Sequence, residues 1–407
     1  EDFGDSWRPI HDGLPDESIN VIIEHPRTAS LLMIGNEVGI WFSVDRGDSW
    51  TRLKNDLPTV PVDDLQIHPR DNDLIVGTHG RSIYIMADVT PLERLTNNVL
   101  AQAGHVVPMQ TSTMWAQKGD WPFYGATYSA PNPPRGARIR YYLRDRQEEA
   151  EGEEMEGGPA EDAELVVRDA SGAIVRTFEV AESAGVHEII WDWRHDPPFT
   201  PEPSTGGGGG RGGGGGFGGG GAPSGPIVLP GSYTVALSVD GFESSSTVVI
   251  EPDPRRPMTM ADRRTRQDAL MDLHTMAEPL YRATRALRRL GEVVNEAKSL
   301  LPDDAPDEVG AEIEAIEEEL GALGRGFQSA SRNAGVRNAI QVSSTVPTED
   351  QLWQIEQLWE DLPGLVERVN ALVETRVPAL NDRLNEIGAR PDPGEPVVMP
   401  RRGSGGG

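Results

Sequence analysis

The sequence predicts a multidomain protein of β plus α class that combines small repeated sheets, a β-sandwich and an antiparallel helical bundle. Three observations support this prediction. Residues 1–95 contain a repeat in which Trp7 and Trp50 lie 43 positions apart. Residues 131–254 alternate apolar and polar side chains between turn signals, as half-buried strands do. Residues 258–390 carry apolar side chains at heptad spacing, which is typical of packed helices.

The first segment is organised around residues 43–50, which read Ser-x-Asp-x-Gly-x-Ser-Trp. Asp45 can accept hydrogen bonds from nearby backbone N–H groups, Gly47 tolerates a positive φ, and Trp50 can cover the turn while its indole N–H finds a partner. The pattern therefore predicts a clamped hairpin. Including a partial copy at the start of the chain, the predicted structural residues are Asp2, Gly4, Ser6, Trp7, Ser43, Asp45, Gly47, Ser49 and Trp50.

Other short runs recur with the same spacing, including His25-Pro26-Arg27 as His68-Pro69-Arg70. A repeat of this length with four short strands has the size of one β-propeller blade. Two blades cannot close a ring, and the chain starts inside a motif copy without an initiator Met. We therefore expect the C-terminal part of a longer protein, with the remaining blades upstream or on another chain.

The motif, its spacing and residues 76–84 (Val-Gly-Thr-His-Gly-Arg-Ser-Ile-Tyr) resemble the last blades of bacterial BNR or Asp-box repeat proteins, described as sortilin-like or glycosyl-hydrolase-like. The resemblance extends along the whole chain. It implies a many-bladed propeller that is secreted, periplasmic or on the cell surface, and it implies no particular activity.

Composition excludes several classes of function. The formal net charge of −28 argues against nucleic acid and anionic membrane surfaces as partners. The absence of cysteine excludes disulfides, thiolate metal sites and cysteine nucleophiles. No apolar run reaches the length of a transmembrane helix, and no sequence feature indicates a cofactor.

Residues 96–130 form an aromatic segment that fits two interpretations. It can be a strap that packs between domains, which is the simpler interpretation, or a platform on which sugar rings stack. The aromatic residues concerned are Trp115, Trp121, Phe123, Tyr124 and Tyr128.

Residues 131–254 predict a sandwich that resembles the Ig-like domain of flagellar hook-capping proteins. The predicted strands are 137–143, 163–168, 174–180, 185–193, 229–237 and 246–250. Two inserts interrupt them: an acidic loop, 147–162, and a Gly-rich loop, 206–221. Arg211 and Phe217 in the second loop are either part of a flexible tether or anchors for a partner.

Residues 258–390 predict three long helices that form a bundle or coiled coil. Thr348 is suited to cap the third helix, and residues 333–345 are expected to be a loop. The spacing between the apolar residues of the third helix is four instead of three at Val377. Pro378 follows directly, and a kink is expected there. Residues 391–407 form a Pro/Gly-rich tail that we expect to be disordered.

Few residues in the sequence suggest catalysis or metal binding. Asp63, Asp64, Arg70 and Tyr84 are the residue types that a sialidase-like glycoside hydrolase would use, but two blades cannot build a site at the centre of a ring. Residues 71–73 (Asp-Asn-Asp) could bind calcium, although their position between strands favours a turn. His25 and His68 are explained by the repeat, so no metal site is assigned.

The leading functional prediction is a non-catalytic binding or scaffold part that presents a protein or glycan interaction surface. One alternative is the C-terminal part of a glycoside hydrolase whose active site lies mostly in upstream blades. Another is a surface-assembly subunit that forms homo-oligomers through its helices.

Overall fold

A computed structural model describes residues 4–54, 56–116, 134–144, 163–181, 183–200, 224–302, 305–386 and 399. Over these residues the chain is of mixed β and α class, with antiparallel sheets followed by helices. It divides into two compact units, Glu1–Trp191 with Gly231–Glu251 and Asp192–Pro230 with Pro252–Gly407. Within the described residues, no helix combines the length and apolar character needed to cross a membrane.

The first unit begins with two small antiparallel sheets. Sheet A has the order β1-β2-β3-β4 and sheet B the order β5-β6-β7. The strands of sheet A are β1 (Ile19–His25), β2 (Thr28–Asn36), β3 (Gly39–Ser43) and β4 (Thr51–Arg52). Those of sheet B are β5 (Val62–Ile67), β6 (Leu74–Thr78) and β7 (Ile83–Met86).

One face of sheet A packs against sheet B. The two sheets share an apolar core to which sheet A contributes Leu31, Met33 and Ile40. Two short helices, α1 (Thr90–Arg94) and α2 (Asn97–Leu100), follow β7, and apolar residues from this segment extend the core. The repeated sequence thus folds as a two-sheet stack.

The rest of the first unit is formed by two further antiparallel sheets. The three-stranded sheet, in the order β13-β10-β8, contains β8 (Gly104–Val106), β10 (Ala137–Leu143) and β13 (Gly185–Trp191). The five-stranded sheet, in the order β12-β11-β14-β15-β9, contains β9 (Ser112–Met114), β11 (Glu164–Arg168), β12 (Ile174–Glu179), β14 (Gly231–Val239) and β15 (Phe242–Pro252).

These two sheets contact each other through large side chains. The rings of Trp191 and Tyr233 meet edge to face, with centroids 5.1 Å apart. A Cβ on Gly104 would lie 2.9 Å from Leu237 Cδ2, so a larger residue here would crowd the leucine side chain. Strands β8 and β9 arise from the segment that the sequence suggested as a strap.

The second unit is largely helical. Its helices are α3 (Met260–Leu300), α4 (Asp307–Ala334), α5 (Arg337–Val342), α6 (Glu349–Ala371) and α7 (Val377–Glu386), with a π-helical turn at Leu372–Arg376. They surround one apolar core. Lys298 on α3 pairs with Glu317 on α4, and Arg376 in the π-helical turn pairs with Glu312 and Glu319 on α4.

Two details of the helical region differ from the sequence prediction or refine it. The predicted loop at 333–345 is wrong for residues 333–334, where α4 continues, and for residues 337–342, where α5 forms and buries Arg337 and Ile340. At the predicted kink, the change in seam spacing is absorbed by the π-helical turn that precedes Pro378.

Candidate functional site

The hairpin between β3 and β4 is held by side-chain hydrogen bonds within the 43–50 motif. Ser43 Oγ donates to Asp45 Oδ1 over 2.6 Å and accepts from Gly47 N over 2.7 Å. Asp45 also accepts from Ser49 N over 2.9 Å and from Ser49 Oγ over 2.5 Å. The side chains of Ser43, Asp45 and Ser49 are therefore engaged within the turn.

These hydrogen bonds set the charge state of Asp45. Burial acts to raise the pKa of this carboxyl group, but donation from Ser43 and Ser49 outweighs burial and holds the pKa below its ordinary value of 3.8. An ionised carboxylate that already accepts these bonds is a poor general acid and has little capacity for a ligand.

Trp50 closes the hairpin from outside. Its indole Nε1 donates to Ile10 O over 2.6 Å. Gly47 has φ 87°, and a Cβ at this position would lie 2.9 Å from Ile10 Cβ. Glycine is therefore needed both for its backbone conformation and for the close packing of the segment before β1.

The partial copy at the start of the chain differs from this clamp in the exposure of its tryptophan. Trp7 is 92% exposed, whereas Trp50 is 8% exposed. Gly4 has a positive φ, as Gly47 does, and Ser6 is exposed. Asp2 lies outside the described residues.

The residues that suggested glycoside hydrolysis do not converge on one point. Asp63 lies 3.3 Å from His79 on the exposed surface, and Asp64 accepts from the N–H of Leu65 in its own strand. Arg70 forms two 2.7 Å hydrogen bonds with the adjacent Asp71.

Tyr84, the fourth of these residues, is half-buried and packs against the core between sheets A and B. The four side chains thus take part in a surface pair, a contact within a strand, a turn and core packing.

The candidate calcium ligands likewise face different partners. Asp71 pairs with Arg70, while Asn72 Nδ2 donates to Thr90 Oγ1 over 3.1 Å. Asp73 accepts from the backbone N–H of Asp88 over 2.9 Å. Among the described residues, no three His, Asp or Glu side chains are grouped as a metal site requires.

A buried polar contact between the two repeats was not predicted from the sequence. His25 Nε2 lies 2.9 Å from Asn72 Oδ1, and His25 Nδ1 lies 3.2 Å from Glu93 Oε1. His68, the repeat equivalent of His25, is instead partly exposed and lies 3.2 Å from Asp71. Glu93 follows the second repeat and has no counterpart in the motif, so the repeat pattern gave no signal for it.

The most distinctive feature of the first segment is its exposed apolar surface. On β1, Ile19 and Ile22 are 50% and 54% exposed. Their repeat equivalents on β5, Val62 and Leu65, are 0% and 1% exposed because they face sheet A.

The opposite side of the stack shows the same relation. On β7, Ile83 and Ile85 are 66% and 65% exposed. Ile40, the repeat equivalent of Ile83, is 1% exposed because it faces sheet B. We call Ile19 and Ile22 the leading face, and Ile83 and Ile85 the trailing face.

Two other predicted binding features lie largely outside the described residues. Trp115 is 48% exposed, while the other aromatic residues of the proposed sugar platform lie outside the described residues. The acidic loop 147–162, the Gly-rich loop with Arg211 and Phe217, and all of the tail except Met399 also lie outside them.

Comparisons with known proteins add little. No family model and no curated protein matches the chain. A biofilm-associated protein BSP domain is similar at 9% identity and a TM-score of 0.19. The extracellular domain of a putative one-component system from B. thetaiotaomicron is similar at 10% identity and a TM-score of 0.15.

The chain covers 26% of each of these two structures, which cover 59% and 58% of it, respectively. At these TM-scores the similarity carries no argument about fold or function.

Proposed function

We propose that the chain is a non-catalytic scaffold whose first segment, residues 1–95, is a slice of a longer stack of repeated sheets. The supporting observation is that the leading and trailing faces are the repeat equivalents of the two surfaces buried between sheets A and B. An apolar face of this kind is normally covered by a partner.

The contact between sheets A and B indicates how a partner would pack on the leading or trailing face. At its centre, Val62 on β5 packs on Gly35 on β2, where an added Cβ would lie 2.5 Å from Val62 Cγ1. Gly77 is the repeat equivalent of Gly35. The nearest atoms to a Cβ on Gly77 belong to Asp64 in its own sheet, with Asp64 Cβ at 3.5 Å, so Gly77 has the room that Gly35 lacks.

The proposed occupant of each face is therefore another sheet of the same repeat type. It comes from the rest of the same precursor or from another chain. Leading and trailing faces bind each other and not themselves, which is a head-to-tail interface. Such stacking extends until it closes, as in a propeller with Asp-box repeats.

The rest of the architecture fits this role. We propose that β8–β15 form an Ig-like sandwich and that the helices form a three-helix bundle, as parts of an exported scaffold protein. The stack presents the protein or glycan interaction surface. A glycoside hydrolase is less favoured because Asp63, Asp64, Arg70 and Tyr84 each contact a different partner.

Sedimentation velocity of the isolated chain tests the proposal. We expect concentration-dependent association that Ile83→Asp abolishes, because a carboxylate on the trailing face prevents apolar contact. Ile174→Asp is the matched control, since Ile174 is also exposed on a strand but lies outside the repeats.

Two results would count against the proposal: a wild-type chain that stays monomeric, or association that survives Ile83→Asp. Trp353 is an exposed residue of α6. If Trp353→Glu dissociates the protein instead, the alternative of assembly through the helices gains support.

A further inference from the structure

A short ribbon in the second unit is formed by residues 192–200 and 224–230. Arg194 and Ile227 form an antiparallel bridge, and His195 N donates to Pro226 O over 2.9 Å. A Cβ on Gly225 would lie 2.1 Å from His195 O, so the two strands of the ribbon approach as closely as glycine allows.

The ribbon is tied to α3 and α5 by polar and aromatic contacts. His195 Nε2 lies 3.2 Å from Gln267 Nε2 on α3, and Ile227 N donates to Gln341 Oε1 on α5 over 3.2 Å. Phe199 stacks on Tyr281 of α3, with ring centroids 4.2 Å apart. The ribbon therefore packs on α3 and α5 through these contacts.

Arg337 is the first residue of α5. Its Nη1 is fully buried and has no hydrogen-bond partner among the described residues. The residue as a whole is 8% exposed. Burial, and then the charge of Arg194, lower the pKa of Arg337. A guanidinium in this position is normally stabilised by an anion.

His274, on α3, is the second polar group without a partner here. Its Nδ1 is fully buried and has no hydrogen-bond partner among the described residues. Burial first, then His195 and Arg337, lower its pKa to about 4. The ring is therefore neutral at pH 7, and the tautomer protonated at Nδ1 offers one more donor.

Arg194 adds positive charge without being an open donor. Its Nη1 donates to Gly225 O over 2.9 Å, and its Nε lies 3.4 Å from Asp192 Oδ2. The ribbon thus fixes one arginine in place near a second whose Nη1 has no acceptor in the described part of the chain. This arrangement favours a negatively charged ligand at Arg337.

We propose that Arg337 and His274 form a binding site for a small oxyanion where the ribbon meets α3 and α5. A guanidinium donates through parallel N–H groups to two oxygens of one anion, and the imidazole N–H reaches a third atom or shares one of the two. Because Arg337 is almost fully buried, the site takes a single phosphate, sulfate or carboxylate group.

Isothermal titration calorimetry with the full chain at pH 7 and constant ionic strength tests this inference, with inorganic phosphate and acetate as separate probes. We expect one site for at least one probe, and binding at least about tenfold weaker in Arg337→Met. Tighter phosphate binding would assign a tetrahedral anion, and tighter acetate binding a carboxylate. Arg332→Met is the control, because Arg332 is an exposed arginine on the neighbouring α4.

Thermal unfolding of the same variants gives an independent readout. We expect the preferred anion to raise the Tm of wild type and of Arg332→Met, and to leave the Tm of His274→Phe and Arg337→Met unchanged. The inference is overturned if neither anion binds wild type, or if Arg337→Met binds as tightly as wild type does.

Discussion

Asp45 shows how a single residue can specify a turn and exclude a catalytic role. Its two carboxylate oxygens accept from Ser43 and Ser49, so the charge is used to hold the hairpin. The motif predicted this use from residue types alone, because Asp and Ser at these spacings bond locally. The exposure of Trp7 could not be predicted in the same way, since it depends on what lies beside the turn.

Replacing Asp45 with Asn should destabilise the chain by about 1–3 kcal/mol, because charge-assisted acceptors are lost within the turn. Urea unfolding monitored by tryptophan fluorescence measures this difference. Asp48→Asn is the control, since Asp48 is exposed and forms a surface ion pair with Arg8. Equal losses in the two variants would contradict the assignment.

The contribution of Asp45 should also depend on pH in a defined direction. Its folded-state pKa is depressed, so its stabilisation is complete above the unfolded-state value of about 3.9 and is lost as pH falls through the lower folded-state value. The stability gap between wild type and Asp45→Asn should therefore shrink below pH 4. A gap that widens on acidification would be incompatible with this account.

Among the structural elements, the strands of the first unit followed the sequence pattern most closely. Strand β10 has its predicted bounds, Ala137–Leu143. Its side chains alternate between a buried face and a more exposed face, and this alternation was visible in the sequence. Helix α5 was missed because six residues are too few for a helical period to be visible, and burial of Ile340 and Arg337 holds it in place.

Contacts between distant segments were equally invisible in the sequence. His195 lies in the ribbon, whereas His274 and Arg337 lie on α3 and α5, and no spacing rule links the three. The positions of the leading and trailing faces were not predicted, because a local sequence pattern does not say which side of a sheet is covered.

Two equivalent glycines test how the sheets stack. Gly35→Ala should destabilise the chain by about 1–3 kcal/mol, because the new methyl group would overlap Val62 at the contact between sheets A and B. Gly77→Ala should change stability by less than about 0.5 kcal/mol, since its Cβ meets only ordinary contacts. Chemical denaturation of both variants measures the free energy of unfolding. Similar losses of stability in the two variants would contradict the proposal that a partner sheet packs on Gly77 as sheet B packs on Gly35.

The start of α6 provides a separate test in the helical unit. Thr348 forms a capping box with Gln351, as its side chain accepts from Gln351 N and the Gln351 side chain accepts from Thr348 N. Thr348→Ala should cost about 1 kcal/mol. Thr265→Ala, inside α3, should be neutral or slightly stabilising by thermal unfolding, because alanine favours a helix interior. A neutral Thr348→Ala would contradict the capping assignment.

For the whole molecule, the apolar faces and the net charge have opposite effects on self-association. The leading and trailing faces favour association, whereas a net charge of −28 makes two copies repel. Added salt screens this repulsion beyond about 10 Å at 0.1 M. Self-association of the chain should therefore tighten as the NaCl concentration rises. Weaker association in salt would indicate contacts dominated by charge pairs.

The head-to-tail claim is tested most directly by sedimentation velocity of a 1:1 mixture of Ile22→Asp and Ile83→Asp chains. The first variant keeps an intact trailing face and the second an intact leading face. Each should be monomeric alone, and the mixture should form heterodimers and nothing larger. A mixture that stays monomeric while wild type associates, or either variant alone forming oligomers, would contradict the account.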